Sequence, residues 1–348
     1  MQQNHLELLA QQKSIKYRSP EAVAQIPLLK LEWVWFYVAG TLCNLECAHC
    51  LVNAGPDSRV LIPLEMEEFI KALQEVKRLN HDQTFQIGFT GGEVFLLKSK
   101  KFGHRLFDMV ETALQYGDLL ILTNGLLADD KTLATLKEIE QAASHTISYR
   151  ISLDGPTAEE NDAIRYFRNK KGTLRLIMES LQRFVNHGFL PAIAYTYEGS
   201  GKPQEVLQKK AHLEARYRKL LKEWGLHELE LWGIPFFDQG YETTRRERLG
   251  LAHINSPGIT NHCIATYTGH GYHLFQCSYS RSFGKELTGE CGWYKCAVLP
   301  ARAIDPNAFL SNNLKDALDD ILLDHPSCFT CFTAATQGIG MSCSGKIN

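Results

Sequence analysis

One stretch of this chain concentrates residues able to do chemistry: Thr41-Leu42-Cys43-Asn44-Leu45-Glu46-Cys47-Ala48-His49-Cys50. Three thiolates spaced C-x3-C-x2-C on one tight loop can hold three irons of a [4Fe–4S] cube and leave the fourth open to a further ligand. The competing reading is structural zinc, with His49 or a distant group as fourth ligand. Such zinc sites usually pair one C-x2-C with a second. Of the ten cysteines, three lie in this loop, none in the next 212 residues, and seven between Cys263 and Cys343. Two separate metal-binding regions are the simplest account. Residues 1–13 lack the basic start and apolar core of a signal peptide, so the cysteines point to metals more than to disulfides.

A loop of thiols needs a rigid support. The apolar run over 31–39 reads as a buried strand, and the cysteine loop follows its C-terminal end. The pattern over 63–79 is helical, with Glu65, Glu67 and Glu68 in the first turns, where the helix dipole favours them. Strand patterns at 85–89, 119–122, 146–153, 190–197 and 228–236 then alternate with helical ones at 102–116, 129–143, 173–187 and 203–224. This alternation predicts an α/β fold of parallel strands with helical crossovers. Polar and glycine-rich segments follow the strands, on the rim where such barrels place their active sites. Six units are too few for a closed eightfold barrel. The expectation is a partial (β/α)6 TIM-like barrel over 28–237, after a loosely attached lead-in over 1–27. A small cysteine-rich region over 238–348 completes the division, with one helix at 314–323 ahead of Cys328-Phe329-Thr330-Cys331.

Composition sets limits. With 44% hydrophobic and 22% charged residues the chain is globular, and its net charge of −2 argues against a nucleic-acid partner. No apolar run approaches the roughly 20 residues of a membrane span, so a cytoplasmic protein is expected. Two basic clusters, at Arg165, Arg168, Lys170 and Lys171 and at Arg245, Arg246 and Arg248, read as solvated faces from which one arginine could aim at a ligand.

Several motifs agree in order, and residues 31 to about 237 resemble the radical S-adenosylmethionine (radical SAM) enzymes. The resemblance implies that Cys43, Cys47 and Cys50 hold a [4Fe–4S] cluster whose open iron chelates S-adenosylmethionine. One electron then cleaves the sulfonium to a 5′-deoxyadenosyl radical, which abstracts hydrogen from a substrate. His49 stands where the family commonly has an aromatic residue and would keep a flat ring against the adenine. Gly91-Gly92-Glu93 matches the family's GGE motif: the glycines would let backbone approach the ligand, and Glu93 would accept from the methionyl ammonium. Ser152 matches a serine that contacts ribose or carboxylate. Arg165, thirteen residues later, matches an arginine whose two-pronged guanidinium pairs with the methionyl carboxylate. Thr123 and Asn124, on the same rim, would sit near the adenosyl group. Asp154-Gly155-Pro156 is also a strong turn signal.

The tail resembles the shortened SPASM, or "twitch", module. Cys277-x18-Cys296 followed by Cys328-x2-Cys331 would enclose an auxiliary [4Fe–4S] cluster, with Gly289 ahead of Cys296 as a further point of likeness. The spacing is looser than the usual motif, Cys263, Cys291 and Cys343 are left over, and Cys343 is the best substitute ligand. A zinc knuckle on the same four cysteines is the bland alternative. The resemblance implies oxidation, epimerisation or crosslinking of a small molecule or a ribosomally made peptide, with electrons from a reductant such as flavodoxin or ferredoxin. Peptide-modifying members often carry a leader-recognition domain ahead of the barrel. The short stretch before residue 28 points toward a small molecule, or toward a leader held by a separate protein. A non-catalytic electron-transfer or sensor protein would keep the cysteines without Gly91-Gly92-Glu93, Ser152 and Arg165 in register.

Overall fold

Trp33-Val34-Trp35-Phe36 offers no polar face, so it suits only a strand covered on both sides, and all four residues are buried. The computed structural model, which describes residues 19–81, 83–254, 258–269 and 271–336, places it near the middle of the main sheet. In chain order the first half contains β1 (Gln25–Ile26), β2 (Trp33–Phe36), β3 (Leu61–Ile62), α1 (Met66–Leu79), β4 (Gln86–Phe89), α2 (Arg105–Ala113), β5 (Leu119–Thr123) and α3 (Asp130–Ala142). Next come β6 (Ile147–Ser152), α4 (Ala158–Ile164), α5 (Leu174–Asn186), β7 (Ala192–Tyr197), α6 (Pro203–Glu223), β8 (Leu231–Pro235), α7 (Tyr241–Leu249) and α8 (Asn261–Thr268). The chain continues through β9 (Ser280–Glu286), β10 (Cys291–Tyr294), β11 (Phe309–Ser311), β12 (Ile321–Leu322) and α9 (Pro326–Thr336).

The local causes are ordinary ones. In α1, Phe69, Ala72, Leu73 and Val76 bury one stripe, and Glu68 closes the first turn by accepting from the Glu65 amide at 2.9 Å. Asp129 caps α3 by accepting from Thr132 N at 2.9 Å. Strands β2, β4, β5, β6, β7 and β8 run parallel in that spatial order, joined by helical crossovers. This is the expected partial barrel. No helix among the described residues is long and apolar enough to cross a membrane.

The sheet does not stop at residue 237. Strand β9 lies on the other side of β2 and runs parallel to it, pairing Trp33 with Ser280 and Phe36 with Phe283. Strands β10 and β11 extend it as an antiparallel ribbon. Packing follows the sheet: Phe36 meets Trp293 at 6.5 Å between ring centroids, and Trp293 meets Phe283 at 4.9 Å. A second core gathers Ala24, Ile26, Phe275, Tyr294 and Phe332 around the later cysteines.

Two expectations are corrected. The lead-in is pinned at its end, where β1 pairs antiparallel with β12, Gln25 to Leu322 and Ile26 to Ile321, because Ala24 and Ile26 are fully buried in that second core. Residues 314–323 do not form a helix; they make a short 3-10 turn at Lys315–Ala317 and then β12. The cause is Arg281, whose guanidinium takes the carbonyls of Ala317 at 2.6 Å and Asp319 at 2.8 Å. A helix would have needed those same carbonyls for its own ladder.

Candidate active site

The loop that carries the first three cysteines is tied down on several sides. Cys43 N donates to Gly55 O at 3.0 Å, Glu46 N to Tyr166 O at 2.9 Å, and Ala48 N to Ile164 O at 2.8 Å. Thr41 is fully buried, and its hydroxyl bonds Ser58 and the backbone of Leu61. Two amides already point at sulfur: Leu45 N lies 3.4 Å from Cys43 Sγ and Ala54 N lies 3.2 Å from Cys50 Sγ. Burial pushes all three thiols up. Cys47 rises to about 12 even though Arg165 opposes the shift, with its guanidinium 3.6 Å from the sulfur. Binding an iron therefore has to displace protons from these groups.

Gly91-Gly92-Glu93 is wedged against this loop. Gly92 N donates to Gly40 O at 2.9 Å and Glu93 N to Leu42 O at 2.7 Å. A Cβ on Gly92 would sit 1.7 Å from Leu42 O; one on Gly91, whose φ is +124°, would sit 2.2 Å from Gly40 O. The close approach these glycines permit is thus to the cysteine loop's own backbone. Glu93 is fully buried and accepts from Phe95 N at 3.0 Å, Thr123 Oγ1 at 2.7 Å and Asn124 N at 2.8 Å. Its carboxylate thereby ties the end of β4 to the end of β5, and it does not line the cavity described next. Asn124 turns its amide the other way, donating to Asn44 at 2.8 Å and approaching Cys43 Sγ at 3.8 Å.

Asp154, singled out in the sequence only as a turn residue, organises the opposite wall. It accepts from His49 Nε2 at 2.9 Å, from Arg165 Nε, and from Thr196 N and Oγ1 at 3.0 and 2.6 Å. Burial alone would push its carboxyl up, but Arg165 and His49 outweigh that and hold it well below the usual carboxylate range. The His49 ring is fixed by this bond and by an edge contact with Phe236 at 5.8 Å. Cys43, Cys47, Cys50, His49, Gly91, Gly92, Thr123, Asn124, Ser152 and Arg165 all line one cavity of about 310 Å³ at the C-terminal ends of the strands. Trp35, Arg150 and Trp232 also line it, with the Arg150 guanidinium stacked 3.6 Å from the Trp232 ring centroid. These residues sit inside strands, so periodicity marked them only as core. His49 Nδ1 and Trp35 Nε1 have no partner among the described residues. With a guanidinium, an amide and two orphaned ring nitrogens beside three thiols, the walls fit a cluster carrying a zwitterionic ligand.

The later cysteines also converge. Cys277, Cys296, Cys328 and Cys331 line a separate cavity of about 30 Å³. Cys328 and Cys331 stand one turn apart on α9, hence on one face. Burial raises all four thiols, Cys328 to about 12, and neighbouring cysteines add to the rise on Cys277, Cys328 and Cys331. Below them Arg281 is fully buried. Cys263 on α8 and Cys291 on β10 are outside this wall, and Cys343 lies outside the described residues. None of the described histidines and tyrosines between residues 262 and 279 lines the larger cavity. Among the described residues no three or more His, Cys, Asp or Glu side chains stand close enough to grip a single metal ion. Sulfurs around one zinc would lie about 3.8 Å apart, from a Zn–S bond of about 2.3 Å.

Residues 37–201, from the end of β2 to the loop before α6, match the family described as Radical SAM superfamily. This region is a radical SAM domain. Such a domain works with a [4Fe–4S] cluster and S-adenosylmethionine, the pair its walls fit. The chain is 30% identical over 185 residues to the mycofactocin maturase MftC of Mycolicibacterium smegmatis, covering 52% of this chain and 41% of that protein. It is 28% identical over 152 residues to the antilisterial bacteriocin subtilosin biosynthesis protein AlbA of Bacillus subtilis, covering 44% and 30%. The chain thus spans less than half of the length of either curated relative. Among solved structures, native anSMEcpe with bound AdoMet and a Cp18Cys peptide superposes with a TM-score of 0.53 at 16% identity, over 87% of this chain and 83% of that one. That likeness extends past the radical SAM domain and covers most of the C-terminal region.

Proposed function

We propose that this chain is a radical SAM enzyme that modifies a peptide, with a second cluster assisting. Cys43, Cys47 and Cys50 hold the first [4Fe–4S] cluster; Cys277, Cys296, Cys328 and Cys331 hold the auxiliary one. When bound, the first cluster supplies the electron that splits S-adenosylmethionine into methionine and a 5′-deoxyadenosyl group able to take a hydrogen atom from substrate. The observation that carries the reading is the single cavity whose wall joins the three thiols to Asn124, Ser152, Arg165 and His49. Arg165, held by Asp154, presents its remaining nitrogens to the methionyl carboxylate. His49, fixed through Nε2, offers its ring and Nδ1 to the adenosyl part. Glu93 holds the loops that bear these groups. The substrate binds against Trp35, Arg150 and Trp232.

The sequence alone leaned toward a small molecule or a separately held leader. The relatives favour a peptide: two bear the names of a maturase and a bacteriocin biosynthesis protein, and a protein of the same fold is seen with a peptide. The electron comes from an acidic carrier such as flavodoxin or ferredoxin. Its docking surface is a polar groove of about 460 Å³ beside the cysteine loop, lined by Arg168, Arg245 and Arg248, where Arg168 pairs with Glu46 and Asp57 and Arg245 pairs with Glu242. Cys47 lines both that groove and the inner cavity, so the path from surface to sulfur is one residue thick.

The test is anaerobic reconstitution, iron counting, then S-adenosylmethionine with dithionite. About eight irons per chain and slow release of 5′-deoxyadenosine are expected, since each cube holds four irons. About four irons would remove the auxiliary cluster, and no 5′-deoxyadenosine would sink the enzyme class.

A further inference from the structure

Gln239 lies in the short link between β8 and α7 and is 5% exposed. Its side-chain amide can donate twice and accept once among these partners, and it does so to three segments that are remote in sequence. Nε2 donates to Leu51 O at 3.1 Å and to Val298 O at 2.6 Å, while Oε1 accepts from the Ser327 hydroxyl. Leu51 follows Cys50 directly, Val298 is two residues past Cys296, and Ser327 precedes Cys328. The backbone around Gln239 presses on the same place. Tyr241 N donates to Cys50 O at 3.0 Å. Gly240, at φ +60°, packs so closely that a Cβ would come within 2.7 Å of Cys50 O and Leu51 O. A second strut lies nearby: the Tyr37 hydroxyl donates to Ala297 O, beside Cys296, and its ring packs in the cluster of side chains that includes Cys50.

We infer that Gln239 is a positioning residue that couples the two cysteine sites, so that filling the auxiliary site steadies the loop holding the first cluster. The inference rests on the two-cluster reading above. Its physical basis is a short chain of hydrogen bonds through one buried amide, with a cysteine-bearing segment at each of its three ends. Iron held by Cys296 and Cys328 fixes Val298 and Ser327; these fix the amide; the amide fixes Leu51 and with it Cys50. Thermodynamic reciprocity makes the effect run in both directions. An isosteric Gln239→Met change fills the same space but offers no donor, so it should uncouple the sites while keeping the packing.

The measurement uses the full chain, reconstituted anaerobically and exposed to a ferrous-iron chelator. The surviving first cluster is read from the electron paramagnetic resonance signal that shifts when S-adenosylmethionine is added. With Gln239 present, the auxiliary-site change Cys277→Ala/Cys331→Ala should shorten the first cluster's half-life by about fivefold or more, the lower end of ordinary coupling between sites. In the Gln239→Met protein the same change should matter by less than about twofold, the scatter expected of independent sites. Should Gln239→Met fail to fold, Ser327→Ala removes one bond of the three, and an intermediate factor is expected. An equal factor with and without the clamp, or no acceleration in the Gln239 protein, overturns the inference. Wild-type chain that binds only about four irons overturns the two-cluster reading itself and this inference with it. About eight irons with an unchanged factor overturns the clamp alone.

Discussion

A guanidinium buried among main-chain carbonyls is costly unless nearby anions offset its desolvation, and Arg281 stands in that position. Burial draws it down to about 10, with Cys277 and Cys296 first among the groups that pull it back. Four thiolates around an iron–sulfur cube carry net negative charge, and Arg281 lies against the carbonyl of Cys277 at 2.6 Å. Replacing Arg281 by Gln should therefore move the auxiliary cluster's midpoint potential to more negative values by on the order of 50 mV, read by a redox titration followed by electron paramagnetic resonance. Asp154→Asn tests the first site. It weakens the charge-assisted bonds that aim Arg165 and His49, each such bond being worth about 1.5–3 kcal/mol. S-adenosylmethionine should bind at least about tenfold more weakly while iron content stays unchanged, checked by ligand titration of the cluster signal. Residue roles were unevenly legible. Cysteine spacing is a property of the sequence itself, and its resemblance to the twitch module points to the four later cysteines that line one cavity. Glu93 shows the opposite: its place in the Gly91-Gly92-Glu93 motif suggests a bond to the methionyl ammonium, but tertiary structure turns its oxygens to Phe95, Thr123 and Asn124.

At the scale of elements, the strand–loop junctions carry the site. Gly92 lies where the turn after β4 touches the loop after β2, and a methyl group there would overlap the Leu42 carbonyl. Gly92→Ala should cost about 3 kcal/mol, the upper end for overpacking, because the obstacle is backbone and cannot rotate aside. The expected outcome is a lower thermal midpoint together with loss of the first cluster's absorbance. The six parallel strands were readable because they are continuous apolar runs at regular intervals, and their helices show stripes such as that of α1. The stretch at 314–323 misled for a physical reason. Its spacing is helical, but Arg281, more than thirty residues away in sequence, captures the carbonyls a helix would use. Helix α9 went unread because its face is small and mixed, and what defines it is the demand that Cys328 and Cys331 share a side.

For the whole molecule, the division into lead-in, barrel and tail follows the sequence's change of style after residue 237 but not the hydrogen bonding. Strand β9 is a full neighbour of β2, and β1 closes on β12. Such pairings between distant segments leave no periodic trace, which is why they were not foreseen. Ile26→Asp places a charge in the second core, where the residue is fully buried, and should cost more than about 3 kcal/mol. Iron should fall from about eight to about four per chain, the first cluster's signal persisting, as measured by iron assay and spectroscopy. The same pairing of β2 with β9 has a consequence for biosynthesis. Phe36 finds Phe283 only after about 250 further residues have been translated, roughly 12–50 s at 5–20 residues per second. Throughout that interval one edge of β2 stays bare beside three reduced thiols. The cysteine loop thus gains its completed sheet only once the C-terminal strands have left the ribosome.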